Sequence, residues 1–205
     1  MIENTVNPQQ RRKNRLKLLC LVGLPVITVV LSTLMFKTGI GLPSGTKNKG
    51  ALIQPPQQIA DFPFTKTDGE PFDYAPDSKW SLLLPAFGEC KEDCEKRLFL
   101  TRQVHMLLGK NADAVRRYYL NIEGTLSQQT LNMLKQDHPK LTVINTTREA
   151  IESLGGGIIT YYSNKAMPYF LVDPRGFVMM YYTDQNTDKE LIKDLKFLIT
   201  KAGGH

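Results

Sequence analysis

The chain has 205 residues, of which 41% are hydrophobic and 22% charged, and Lys plus Arg outnumber Asp plus Glu by 26 to 20. That is ordinary globular composition, so one domain with appendages is the reading that length allows. The net charge of +6 is local: eight basic residues against Glu3 give the stretch up to Lys49 +7, leaving −1 for the rest. A nucleic-acid role therefore loses its electrostatic basis, because the body of the protein has no excess of cations to meet phosphates.

Residues 1–15 are polar and basic, without apolar periodicity, and read as a flexible tail. Residues 16–36, LKLLCLVGLPVITVVLSTLMF, are continuously apolar apart from Lys17. Such a run spans roughly 30 Å of hydrocarbon as a helix and predicts a transmembrane segment, in which Pro25 is tolerated. No small-x-small cleavage site follows it, as a cleaved signal peptide requires. Cys20 stands at the start of the apolar run, not after it, so it reads as a membrane-buried passenger and not as a lipid-bearing cysteine. Arg11, Arg12, Lys13 and Arg15 precede the span, whereas only Lys37, Lys47 and Lys49 follow closely. The positive-inside rule then places the N-terminus in the cytoplasm and exports the rest from a single-pass inner or plasma membrane protein. Residues 37–59, rich in Gly and Pro, read as a flexible tether, and the folded domain is expected over 60–205.

Within the domain, residues 62–72 suggest two short strands around a turn at Asp68 and Gly69. Residues 80–87 are a buried strand candidate, although Pro85 cannot donate to a sheet ladder. Leu98, Leu100, Val104, Leu107 and Leu108 recur at helical spacing, with Gly109 as the stop. A strand over 114–122, a helix over 127–138, a strand over 141–145 and a short helix over 147–154 follow. Strands over 169–172 and 177–183 flank Asp173-Pro174-Arg175-Gly176, whose residue types suit a hairpin turn. Thr187 and Glu190 form a capping box before the last helix, with Leu191, Ile192, Leu195, Leu198 and Ile199 as its apolar stripe. This order predicts an α/β layered domain with a mixed sheet.

The chemistry concentrates between the strand over 80–87 and the helix after it, where Cys90 and Cys94 stand four residues apart. If both lie in the first helical turn, their sulfurs share one face, about one turn apart. Such a pair can form a disulfide, clamp a soft metal ion, or be structurally inert. A helix N-terminus favours the thiolate, while Glu89, Glu92, Asp93 and Glu95 oppose a second negative charge. An exported compartment permits oxidation, and with Cys20 set aside one bridge is available. The Asn145-Thr146-Thr147 triplet fits a glycosylation acceptor, a match frequent by chance.

A dithiol between the first main strand and its helix, with Met167-Pro168 just before a hairpin, resembles the thioredoxin-like fold, in which a cis proline faces the cysteines. The Cys-x-x-x-Cys form, the preceding FPFTKTDGEPF, and FLVDPRGFVMMYY with a terminal helix resemble the Sco/SenC family more narrowly, over residues 61–201. That resemblance implies a thioredoxin-like mixed sheet flanked by helices, held at the membrane. It also implies work as a copper chaperone or thiol reductase on a cytochrome c oxidase subunit or beside other oxidase assembly factors. The family's copper-binding histidine precedes its Asp-Pro-x-Gly turn, but here YYSNKAMPYFLVDP offers Lys165 near that place. His105 lies eleven residues after Cys94, roughly 16 Å along a helix. His138 precedes Pro139, and His205 ends the chain, so none of the three replaces that ligand.

Three readings of the resemblance follow. In a thiol–disulfide protein Cys90 attacks, Cys94 resolves the mixed disulfide, and a cis Pro168 holds the backbone open for an extended target segment. In a Cu(I) carrier, Cys90, Cys94 and Met167 supply soft sulfur ligands without a histidine. In an assembly scaffold the fold persists without the chemistry.

Overall fold

The computed structural model describes residues 8–38, 48–74, 77–155, 157–158 and 167–202. The chain divides into two compact units, residues 1–47 and 48–205. The first contains helix α1 (Pro8–Thr38), long and apolar enough to cross a membrane and with none of its apolar window buried against protein. The helix starts before the expected span and takes in Arg11, Arg12, Lys13 and Arg15, so the basic tail read as flexible is helical from Pro8. Proline at the first helical position followed by Gln, Arg and Lys, all good helix formers, accounts for the earlier start.

The second unit is built on one six-stranded mixed sheet. Its strands are β1 (Ala51–Gln58), β2 (Trp80–Phe87), β3 (Val115–Ile122), β4 (Leu141–Thr146), β5 (Tyr169–Val172) and β6 (Phe177–Tyr182). They lie in the order β1-β6-β5-β2-β3-β4, with β2, β3 and β4 parallel and the β2–β5, β5–β6 and β6–β1 pairs antiparallel. Helices α2 (Glu92–Leu107), α3 (Gln128–Asp137), α4 (Arg148–Leu154) and α5 (Asp188–Ala202) flank it. The sheet separates two apolar clusters. One gathers Leu82, Leu84, Leu98, Tyr119, Leu134, Leu191 and Leu195 under α2, α3 and α5. The other gathers Leu83, Leu120, Ile144, Ile151 and Phe170 under α4. Alternate residues of β2 thus enter opposite clusters, as the pleat of a strand covered on both faces requires.

Pro85 sits in β2 without breaking the sheet. The β2–β5 pairing covers only Ser81, Leu82 and Leu83, so the ladder on that side has ended before the proline. The pairing of β2 with β3 continues through Phe87.

Part of the tether expected over 37–59 belongs to the domain, which starts before residue 60, because Ala51–Gln58 is strand β1. Ala51 and Leu52 pair with Tyr181 and Met180, and Gln57 and Gln58 with Val178 and Phe177, with an irregularity between them. Pro55 and Pro56 fall in that irregular part, and an edge strand is where a sheet tolerates prolines. The two strands expected over 62–72 reduce to a turn: Lys66 N–H donates to Glu70 O and Phe72 N–H to Phe64 O. Thr65 makes isolated bridges to Pro71 and Asn145.

Asp194 on α5 locks β1 to the rest of the domain. Its buried carboxylate accepts from Lys49 N–H at 2.6 Å, Gly50 N–H at 3.0 Å and the Tyr182 hydroxyl at 3.1 Å. Gly50 is required where it stands, since a Cβ there would lie 2.7 Å from the Tyr182 ring. Asp194→Ala would strand two buried donors and one part-buried one, and it is expected to cost about 2–4 kcal/mol in urea unfolding. Hydrogen exchange should show Lys49 and Gly50 losing protection first.

Candidate functional site: the Cys90–Cys94 disulfide

Strand β2 ends at Phe87, Gly88 turns the chain with φ +62°, and α2 begins at Glu92 with Lys91 as its cap. Cys90 therefore lies in the loop and only Cys94 in the first helical turn, a correction to placing both in one turn. The two form a disulfide with their Cα atoms 5.2 Å apart, and each is 9% exposed.

Three side chains hold this loop, of which Arg97 and Tyr119 carry no role in the sequence reading and Glu89 figures there only as one of the acids beside the cysteines. Arg97, one turn beyond Cys94, donates through one Nη to Pro85 O at 3.1 Å and to Met167 O at 2.8 Å. It thereby fastens α2 to the end of β2 and to the segment entering β5. Burial lowers its pKa to about 10, still fully cationic at neutral pH. Tyr119 on β3 puts its hydroxyl 4.0 Å from Cys94 Sγ and donates to Gly88 O at 3.2 Å. Burial pushes its pKa up to about 12, so it stays a neutral donor. Glu89 caps α3 from outside, accepting from Ser127 N–H at 2.6 Å and from the hydroxyls of Ser127 and Thr130. A lone arginine at the third position after Cys94 was the available signal for the first of these. No spacing signals Glu89, whose partners lie 38 and 41 residues away.

The acidic loop is less hostile to a thiolate than its composition suggests. Glu89 spends its charge on α3, and Glu92 and Asp93 are paired with Lys96 at 2.7 and 3.9 Å. The helix N-terminus and Arg97 remain to favour a thiolate once the bridge is reduced.

The structure unites only part of the expected site. The segment of Met167 and Pro168 reaches the cysteine helix through the Met167 carbonyl. The Met167 side chain, however, packs in the cluster on the face of the sheet opposite Cys90 and Cys94, with Phe170 and Val172. Apolar burial there competes with any role beside the cysteines. Pro168 does not follow a cis peptide bond; among the described residues only Gln54–Pro55 is cis. With its preceding carbonyl already taken by Arg97, this segment is not held open as a cis Pro168 would hold it.

Among the described residues no three of His, Cys, Asp and Glu cluster in a way that could hold a metal. His105 is buried with Nε2 3.1 Å from Val115 O, and His138 is buried at the end of α3. Lys165 and His205 lie outside the described residues. The Asn145 side chain is engaged, its Nδ2 donating to Lys66 O and its Oδ1 accepting from Asn121.

A mixed sheet with a disulfide where its central strand passes into a helix defines a thioredoxin-like protein. The chain belongs to the family described as the transmembrane-like, thioredoxin-like, C-terminal domain, whose model matches residues 80–201. Among solved structures, copper-bound yeast Sco1 superposes with a TM-score of 0.53 at 14% identity, covering 78% of this chain and 96% of that one. Arabidopsis thaliana ScoI with copper bound gives 0.52 at 18% identity, covering 74% and 98%. BsSco, described by a disulfide switch in a member of the Sco family of cytochrome c oxidase assembly proteins, gives 0.52 at 15%, covering 77% and 99%. These likenesses carry the fold. No curated protein matches the chain.

The Glu89 cap sets a pH dependence. Hydrogen bonds from Thr130 and Ser127 hold its carboxyl below the ordinary 4.5. A carboxyl whose folded pKa is depressed stabilises the fold fully above its unfolded pKa, and that contribution is lost as pH falls through the folded one. Glu89→Gln should lower stability at pH 7, and the difference from wild type should shrink as pH falls into the acid range, as read by urea midpoints.

Proposed function

We propose that this protein is a membrane-anchored thiol–disulfide protein of cytochrome c oxidase assembly, with Cys90 and Cys94 cycling between disulfide and dithiol. The observation that carries the reading is the buried disulfide at the strand-to-helix junction, supported by Arg97 and Tyr119. The oxidase context rests on the Sco/SenC resemblance of the sequence and on the fold shared with BsSco. Helix α1 would anchor the domain, with the N-terminus cytoplasmic and residues 48–205 on the far side of an inner or plasma membrane.

In the reduced protein, Cys90 thiolate attacks a target disulfide, forming a mixed disulfide and releasing one target thiolate. Cys94 thiolate then attacks Cys90 Sγ, which restores the Cys90–Cys94 bridge and releases the second target thiolate. The target gains two electrons and the protein loses two, and a thiol reductant of the compartment returns the bridge to the dithiol. An apo copper site whose cysteines must be reduced before metal enters is the target class that the resemblance implies. Cys90 is the attacker because it lies in the loop, outside the hydrogen-bonded turn that holds Cys94.

Two experiments test this. Cys94→Ser should trap a mixed disulfide with an oxidised target peptide, seen by mass as an adduct on Cys90, and Cys90→Ser should give none. Full oxidase activity in cells carrying both substitutions would sink the reading and leave an assembly scaffold.

The carrier reading makes a separate prediction, with Cu(I) as cargo on Cys90, Cys94 and Met167. Because Met167 packs on the opposite face of the sheet, Met167→Ala should leave Cu(I) affinity of the reduced protein within about twofold of wild type. Competition with a chromogenic chelator measures it, and a loss of tenfold or more would return Met167 to the ligand set.

A further inference from the structure

Outside α1, the exposure of large apolar side chains is concentrated on two helices. Among the described residues of the domain, Phe99, Met106 and Leu107 on α2 and Phe197 on α5 are between 48 and 60% exposed, and Leu52 on β1 is the only other. Helices α2 and α5 pack against each other and cover the same apolar cluster, through Leu98 and Val104 from one and Leu191 and Leu195 from the other. Their outer faces therefore turn to the same side of the domain.

The charge around these side chains has one sign. On α5, Lys193, Lys196, Phe197 and Lys201 recur at helical spacing, and all four are exposed. Lys110, in the turn that follows α2 and packs on both helices, is exposed as well. None of these four lysines enters an ion pair among the described residues. Acids on both helices are confined to the first turn, with one exception. That exception, Asp194, is buried and spent on Lys49, Gly50 and Tyr182. Asp113, close to Lys110 in sequence, pairs with Lys140 at 3.7 Å.

We infer that the outer face of α2 and α5 is a docking surface for a bilayer rich in anionic lipid. The lysines meet headgroup phosphates, and Phe99, Met106 and Phe197 enter the boundary beneath them. Side-chain chemistry favours lipid over a protein partner. Protein interfaces are depleted in lysine and rely on arginine and aromatic anchors seated in closed pockets. Here lysines surround separate apolar side chains, and a lysine lays its stem along apolar matter while its ammonium stays in water, as a membrane interface requires. The inference rests on the reading of α1 as an anchor. Residues 39–47 then join anchor to domain, and a link of that length spans at most about 35 Å, so the domain works beside the bilayer.

The test uses the full-length protein in lipid nanodiscs, one copy per disc, made of phosphatidylcholine alone or of an equal mixture with phosphatidylglycerol. Amine labelling followed by mass spectrometry reads each lysine. Lys110, Lys193, Lys196 and Lys201 should label about fivefold more slowly in the anionic discs, and the difference should vanish at high salt. Lys66, exposed in the turn beside Phe64 of the opposite cluster, should label alike in both. Lys193→Gln combined with Lys196→Gln, at two exposed positions that leave the fold intact, should return Lys110 to its rate in neutral discs. Equal labelling of the four lysines in both discs, in protein that has entered both, overturns the inference and leaves the anchor standing. Protein that enters neither disc overturns the anchor and the inference with it. Slower labelling that appears in both lipids only with two copies per disc assigns the face to a second copy of the chain and likewise overturns the inference.

Discussion

A strand covered on both faces and paired on both sides has little room for an unpaired polar group, and β2 meets that constraint almost residue by residue. Its hydroxyl, on Ser81, accepts from the Tyr74 hydroxyl at 2.6 Å, and the exception is the Trp80 indole N–H, buried without a partner. Burial pushes the Tyr74 pKa up to about 12, so that hydroxyl remains a donor at any physiological pH. Everything chemical in the molecule is placed by where β2 stops. The ladder to β5 ends at Leu83, Pro85 leaves its carbonyl to Arg97, and the chain turns at Gly88 into the cysteine loop. The disulfide is therefore fixed from behind by a rigid strand and from the sides by Arg97 on α2, Tyr119 on β3 and Glu89 in the loop itself.

Strong local patterns made most of the fold legible. The strand over 80–87 agrees with β2, and Ser127 and Thr147 cap α3 and α4 through Thr130 N–H and Ala150 N–H. Thr187 and Glu190 exchange both hydrogen bonds of the capping box. What failed lacked period or locality. Strand β1, ALIQPPQQ, has no alternation and two prolines, and it is a strand because β6 offers an edge and Asp194 holds its start. The cysteine pair was visible as chemistry, but its support was not: Arg97 acts on a carbonyl 70 residues away and Glu89 on a helix start 38 residues away. Met167, expected beside the cysteines, instead has its side chain in the apolar cluster on the other face of the sheet.

The two ends of the sheet carry opposite electrostatic arrangements. Near the cysteines, Glu89, Glu92 and Asp93 each have a nearby donor or cation, and the half-buried guanidinium of Arg97 is spent on backbone carbonyls. At the far end, Arg117 is buried with donors unspent. Burial lowers the Arg117 pKa to about 10, a response to desolvation that still leaves it charged. Removing water from an ion without a partner costs several kcal/mol even after relaxation.

Strand β1 lies at one margin of the sheet, and its adjacent prolines each lack an N–H. Successive residues of a strand direct their N–H groups to opposite sides, so one of the two missing donors falls on the outer margin. At the other margin, Thr65 already bridges to Asn145 on β4. The sheet is thus poorly suited to recruiting a seventh strand from another chain, which protects the domain from edge-to-edge aggregation. Any protein that docks on this domain would accordingly find few free backbone groups at the sheet margins, so shape and charge would count for more than strand pairing.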